Sequence, residues 1–135
     1  MKIKTSIYIT CIAVVLLSIS AAYFYDKKNN GINKDNYIKQ NIETIIRIQY
    51  HCSDKKMLSD ISTSDFINNL TDDFFKGFYF YKIDKNFMET CRKTEDDNLV
   101  ISVRVEDWRG SYIQVFTLTK NENEQYLISK IQYDI

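Results

Sequence analysis

The stretch LVISVRVED, residues Leu99–Asp107, decides the fold class because its apolar and polar side chains alternate. Leu99, Ile101, Val103 and Val105 fall on one face of an extended chain, and the residues between them are mostly polar and fall on the other. This period of two is typical of a strand that has one face in a core and one face in solvent. The sequence therefore predicts a half-buried strand here.

Other segments around this strand show the same β character. The predicted strands are Phe78–Ile83, Phe87–Lys93, Tyr112–Lys120 and Gln125–Asp134. Short groups of turn-forming residues separate all five strands, at positions 84–86, 95–98, 108–110 and 121–123. Connections this short make neighbouring strands antiparallel.

Upstream of the strands the apolar period is helical. A face made of Ile38, Ile42, Ile45, Ile46 and Gln49 predicts a helix over Lys34–His51. Asn33 or Asp35 is the expected N-cap of this helix.

Two shorter helices are expected between the long helix and the strands. The first begins at Ser53 and buries Met57, Leu58 and Ile61, and the second is capped by Thr63 or Ser64. The predicted fold class is α+β, with three helices packed on a curved antiparallel sheet of four to five strands over residues 34–135.

Residues 6–25 form a different kind of segment, since they are twenty in number and carry no charge. As a helix they span roughly 30 Å, the thickness of the hydrocarbon core of a bilayer. Two interpretations stand: a transmembrane anchor that binds the lipid bilayer, or a signal peptide cleaved after small residues at 18–22. Residues 1–25 are thus one unit, and the polar residues 26–33 are a linker.

The charges beside this segment predict its orientation. Lys2, Lys4 and the α-amino group precede it, whereas Asp26 lies beside Lys27 and Lys28 after it. The positive-inside bias therefore predicts a single-pass protein of the cell membrane, with its N-terminus in the cytoplasm and its folded domain outside. The abundance of Lys, Asn, Ile and Tyr is typical of bacterial proteins from AT-rich genomes.

Charge and composition also exclude several functions. The whole chain has 18 basic and 18 acidic residues, and all the acidic ones follow residue 25. The folded part is therefore weakly acidic and lacks the basic patch that nucleic-acid binding needs. His51 is the only histidine, and the acidic groups at 72–73 and 95–97 lie in turns. We expect no catalytic, cofactor-binding or metal-binding residue.

Cys52 and Cys91 are the only cysteines outside the apolar segment. In an oxidising compartment a disulfide between them would close a long loop and contribute roughly 4 kcal/mol on the chain-entropy model. Two separate buried thiols are the alternative.

The aromatic residues around the first strand suggest a partner contact. Phe78–Tyr81 places rings on both faces of one strand, so that strand is either buried on both sides or has one exposed apolar face. Trp108 and Arg109 lie in a predicted turn, where they either form a contact surface or fold back on the sheet. The candidate contact residues are Tyr79, Tyr81, Trp108 and Arg109.

Residues 34–135 resemble the nuclear transport factor 2-like (cystatin-like) superfamily. The resemblance lies in one long helix, two short helices and a final meander that includes Tyr112–Leu118 and Tyr126–Ile131. It implies a cone-shaped fold that often holds a pocket between helix and sheet. Members include small enzymes, ligand binders and membrane-tethered scaffold domains of conjugation and type IV secretion machines.

The tether makes the chain most similar to the last of these groups. The expected function is therefore a non-enzymatic, membrane-anchored interaction or scaffold module of an envelope complex, with a protein partner. The alternative is a small-ligand-binding or sensor domain that uses a pocket between helix and sheet.

Overall fold

A computed structural model of the chain describes residues 2–52 and 55–134. It divides into two compact units, Met1–Asn36 and Tyr37–Ile135, called unit 1 and unit 2. The helix α1, Lys2–His51, supplies all of the described part of unit 1. This helix is long and apolar enough to be a membrane anchor or a signal sequence, and the side chains of its apolar window are unburied.

The expected break in the helix at residues 26–33 is not observed. α1 is helical through this polar segment, so Asn33 and Asp35 lie within the helix and do not cap it. Extending an existing helix is far easier than nucleating a new one, and the segment contains no proline. The single Gly31 lowers the helix propensity there without ending the helix.

Unit 2 continues with short helices and then the sheet. A 3-10 helix, Lys55–Met57, leads into α2, Leu58–Ile61, and α3 follows at Ser64–Asn68; Ser53 lies outside the described residues. The Thr63 side chain accepts a hydrogen bond from the Phe66 N–H and caps α3, as predicted. The strands are β1 (Tyr81–Ile83), β2 (Arg92–Lys93), β3 (Leu99–Asp107), β4 (Gly110–Lys120) and β5 (Tyr126–Asp134).

The five strands form one antiparallel sheet in the order β1-β3-β4-β5, with β2 also paired to β3. The predicted bounds of β3 are confirmed. The α+β class and the antiparallel pairing are confirmed as well.

The core lies between α1 and the inner face of the sheet. Ile42, Ile45 and Ile46 are fully buried, as are Ile101 and Phe116 on the strands. Between Asn41 and Tyr50, only Glu43 and Arg47 are exposed. Each isoleucine removed from water contributes about 1.5–3 kcal/mol, so this helix is the largest single part of the core.

Two predicted strands are shorter than expected. Tyr81 pairs with Asp107, the last residue of β3, so Phe78–Phe80 have no neighbouring strand and leave the sheet. Phe87–Thr90 is a 3-10 helix in which the Thr90 hydroxyl lies 2.7 Å from the carbonyl oxygens of both Phe87 and Ser102. These side-chain contacts replace the ladder bonds of the predicted strand.

The packing of α1 makes Ile45→Ala a direct test of the core. We expect this change to lower the free energy of unfolding by about 2–5 kcal/mol, because a fully buried side chain leaves a cavity. The matched control is Gln40→Ala on the exposed side of the same helix, with an effect within about 0.5 kcal/mol. The measurement is urea unfolding of the full chain in mild detergent, followed by near-ultraviolet circular dichroism. Equal losses in both variants would contradict this core.

Candidate functional site

Unit 2 exposes three consecutive aromatic residues and the tryptophan that contacts one of them, and we call these four residues the aromatic patch: Phe78, Tyr79, Phe80 and Trp108. Phe78 and Phe80 are 83% and 86% exposed, and Trp108 is 67% exposed. The rings of Tyr79 and Trp108 lie 5.4 Å apart, which joins the segment before β1 to the β3–β4 turn. Exposed apolar side chains that cluster in this way mark interaction sites in soluble domains.

Two glycines direct the chain into this patch. Gly77 has a φ of +87° immediately before Phe78, and Gly110 has a φ of +131° immediately after the Trp108–Arg109 turn. Residues other than glycine rarely adopt these φ angles. The exposure of the patch therefore depends on backbone positions that glycine favours.

A polar cluster beneath the patch fixes the hairpin. The Tyr50 hydroxyl at the end of α1 donates to Asp107 Oδ2 at 2.7 Å and also contacts the Tyr112 hydroxyl. Asp107 accepts from the Arg109 backbone N–H at 2.8 Å and pairs with its guanidinium. These hydrogen bonds, with that from Arg109 the strongest, lower the pKa of Asp107 to about 2. Burial is the main cause that raises the pKa of Tyr50.

The structure brings three of the four predicted contact residues together. Tyr79, Trp108 and Arg109 adjoin one another, and the Arg109 guanidinium carbon lies 5.9 Å from the Trp108 ring centroid. Tyr81 is half-buried instead, with its ring stacked 4.8 Å from that of Tyr50. It supports the site from below and is not on the patch.

Cys52 and Cys91 are not joined by a disulfide. Cys52 follows the end of α1, which packs at the Asp107 end of β3, whereas Cys91 precedes β2, which pairs at the Val100 end. Seven residues of strand separate these ends, roughly 23 Å, and a disulfide bridges Cα atoms less than about 7 Å apart.

A cleft next to the patch is lined by two positively charged side chains, those of Lys76 and Arg109, and we call it the cation cleft. Its volume is about 430 Å³. The lining residues are Lys76, Arg109, Gly110, Ser111, Tyr112 and Tyr133. The sequence offered no signal for this cleft, because Lys76 is a single lysine in a loop and only the fold brings it to the hairpin.

A second cavity adjoins the cation cleft and shares Lys76 and Tyr133 with it. It has a volume of about 400 Å³ and runs between α3 and β5. Neither cavity is lined by residues of α1. Burial raises the pKa of Tyr133 to about 12, and its hydroxyl accepts a hydrogen bond from Gln49 Nε2 at 2.9 Å.

The acidic turn at residues 95–97 contains ion pairs with two lysines. Asp97 pairs with Lys93 and with Lys120, and hydrogen bonds from both lysines, Lys120 first, lower its pKa to about 2. Within residues 2–52 and 55–134, no three His, Cys, Asp or Glu side chains are placed to hold a metal ion together.

The ion pair of Asp107 with Arg109 predicts a specific acid sensitivity. Its pKa falls from 3.8 to about 2 on folding, so its stabilisation is complete above about pH 4 and is lost as the pH falls toward 2. Asp107→Asn should cost about 2 kcal/mol of unfolding free energy at neutral pH, and the difference from wild type should shrink below pH 4. Urea unfolding of the full chain at several pH values measures this. A difference independent of pH would contradict the account.

Comparisons of the chain with protein-family models, with curated proteins and with solved structures gave no match.

Proposed function

We propose that the chain is a non-enzymatic interaction module, anchored in the cell membrane by residues 6–25, whose extracytoplasmic domain contacts a partner protein of the envelope. The observation that carries this proposal is the aromatic patch, where two phenylalanines are more than 80% exposed and the sole tryptophan is 67% exposed. Tryptophan and arginine are the residues most enriched among energetic hot spots of protein interfaces.

Several features support the anchor. An 18-residue window of α1 has a mean hydropathy of 2.2, and none of it is buried. Ser18 and Ser20 donate to backbone carbonyls four residues earlier, so their hydroxyls are satisfied within the helix, as lipid requires. The orientation rests on Lys2 and Lys4, which favour a cytoplasmic N-terminus.

The patch lies at the end of unit 2 that is remote from residue 37. The stretch of α1 from Tyr37 to His51 rises about 21 Å. The His51 ring at its end lies 6.4 Å from that of Phe78, whereas Lys39 near its start donates to the Lys85 carbonyl at 3.0 Å. Within unit 2 the patch therefore lies at the opposite end of the buried helix from Tyr37, and we propose a protein as its partner.

The charges beside the patch indicate the chemistry of that partner. Arg109 lies against Trp108, and Lys76 is two residues before Phe78. The partner surface that fits best is an apolar one with carboxylates at its edge, since rings would be buried and the cations paired.

The partner contact is tested by a photo-crosslinking residue at position 80 of the membrane-embedded full chain. We expect one defined crosslinked protein from position 80 and none from position 56, where Lys56 is exposed and lies in the 3-10 helix before α2. Adding Trp108→Ser should abolish the crosslink without changing the circular dichroism spectrum, because it removes an exposed hot-spot ring. Crosslinks of equal yield from both positions, or a crosslink unaffected by Trp108→Ser, would refute the patch as an interface.

The anchor has its own test. We expect the full-length mass to stay in the membrane fraction through high-salt and alkaline washes, because about twenty apolar residues insert stably in lipid. A mature chain that begins near residue 21 or 23 would identify the segment as a cleaved signal peptide.

We also propose membership in the nuclear transport factor 2-like (cystatin-like) superfamily. The support for it is the order of elements in unit 2, one long helix followed by short helices and a terminal meander.

A further inference from the structure

We propose that the cation cleft binds the carboxylate of an organic anion between Lys76 and Arg109. The two side chains that line the cleft and carry full charge are both cations, and no aspartate or glutamate lines it. Its volume of about 430 Å³ lies in the range of small-ligand sites.

Lys76 is the cation of the cleft that no carboxylate contacts directly. Within the described part of the chain its ammonium forms no salt bridge, and it lies 5.0 Å from the centroid of the Tyr133 ring. Its backbone N–H donates to the Gln49 carbonyl at 2.6 Å, which holds the lysine at the mouth of the cleft. Burial, and then the charge of Arg109, lower the pKa of Lys76, and the more weakly acting charges of Asp107 and Asp73 raise it. A bound anion would offset both effects, because an opposite charge close by favours the charged form of the lysine.

The charge balance favours a carboxylate over a phosphate dianion. Asp107 neutralises Arg109 from beneath and is not part of the lining, so the lining itself keeps at most one positive unit of charge, that of Lys76, and Asp73 in the adjoining cavity reduces its field further. One carboxylate matches that charge. Arg109 uses Nε and Nη2 for Asp107, and Nη1 makes no hydrogen bond within the described residues, so it is available to a ligand.

The walls suit an anion with an apolar body. The rings of Tyr112 and Tyr133 lie 6.3 Å apart, and the adjoining cavity adds the apolar side chains of Phe66, Leu70 and Phe74. The carboxylate has two sources: a free organic acid, or an acidic side chain of a protein.

This inference does not depend on the patch being an interface, and the two are tested separately. The probes are sodium benzoate, its neutral analogue benzamide, and inorganic phosphate, titrated calorimetrically into the full chain in non-ionic detergent. We expect benzoate to bind at least tenfold more tightly than benzamide, and more tightly than phosphate. A charge-assisted hydrogen bond is enough for such a ratio.

Substitutions of single residues test whether benzoate binds in the cation cleft. Lys76→Met should weaken benzoate binding about tenfold, and Lys76→Arg should restore it, because the charge is what matters. Lys56→Met, an exposed lysine outside both cavities, and Phe80→Ser on the patch should leave it unchanged. Loss of benzoate binding with Phe80→Ser would overturn the separation of cleft and patch.

A further probe distinguishes the source of the carboxylate. The capped dipeptide N-acetyl-Phe-Glu-amide binds more tightly than benzoate if the ligand is an acidic protein side chain, and more weakly if it is a free acid; either result supports the carboxylate site. Equal binding of benzoate and benzamide, or benzoate binding in Lys76→Met equal to that in Lys56→Met, would overturn it.

Discussion

The contacts of the Asp107 carboxylate with Tyr50 and Arg109 are the interactions on which the aromatic patch and the cation cleft both depend. This carboxylate lies at the last residue of β3, so the end of the buried helix and the β3–β4 hairpin are joined at one point. Because Arg109 is held by that carboxylate, the neighbouring Trp108 projects into solvent on one side and the cation cleft opens on the other.

Hydrophobic burial and polar positioning have separate roles in unit 2. The isoleucines of α1 supply most of the stabilisation, since burial scales with apolar area and is not directional. The hydrogen bonds from Tyr50 and Gln49 to Asp107 and Tyr133 contribute less energy each but determine which strand ends meet the helix end. The patch and cleft lie where these directional contacts are concentrated.

Local patterns predicted much of this fold, and long-range contacts account for what they missed. The alternation in Leu99–Asp107 predicted β3 to the residue, since one face of it is buried. The departure of Phe78–Phe80 from the sheet depends on where β3 ends, which their own sequence does not record. The register of β4 likewise buries Gln114 in the core, although its composition favours solvent. Trp108 and Arg109 were predicted as contacts, but Lys76 reaches the cleft only through its bond to α1.

We propose above that a tethered domain presents the aromatic patch to a partner outside the cell membrane. Single cysteines at positions 56 and 80, in a chain whose native cysteines are replaced by serine, test it with a membrane-impermeant maleimide. In the purified chain both positions should react. On intact cells position 56 should react while position 80 is protected by the bound partner. Labelling of position 56 only after the cells are opened, or equal labelling of both positions on intact cells, would contradict the account.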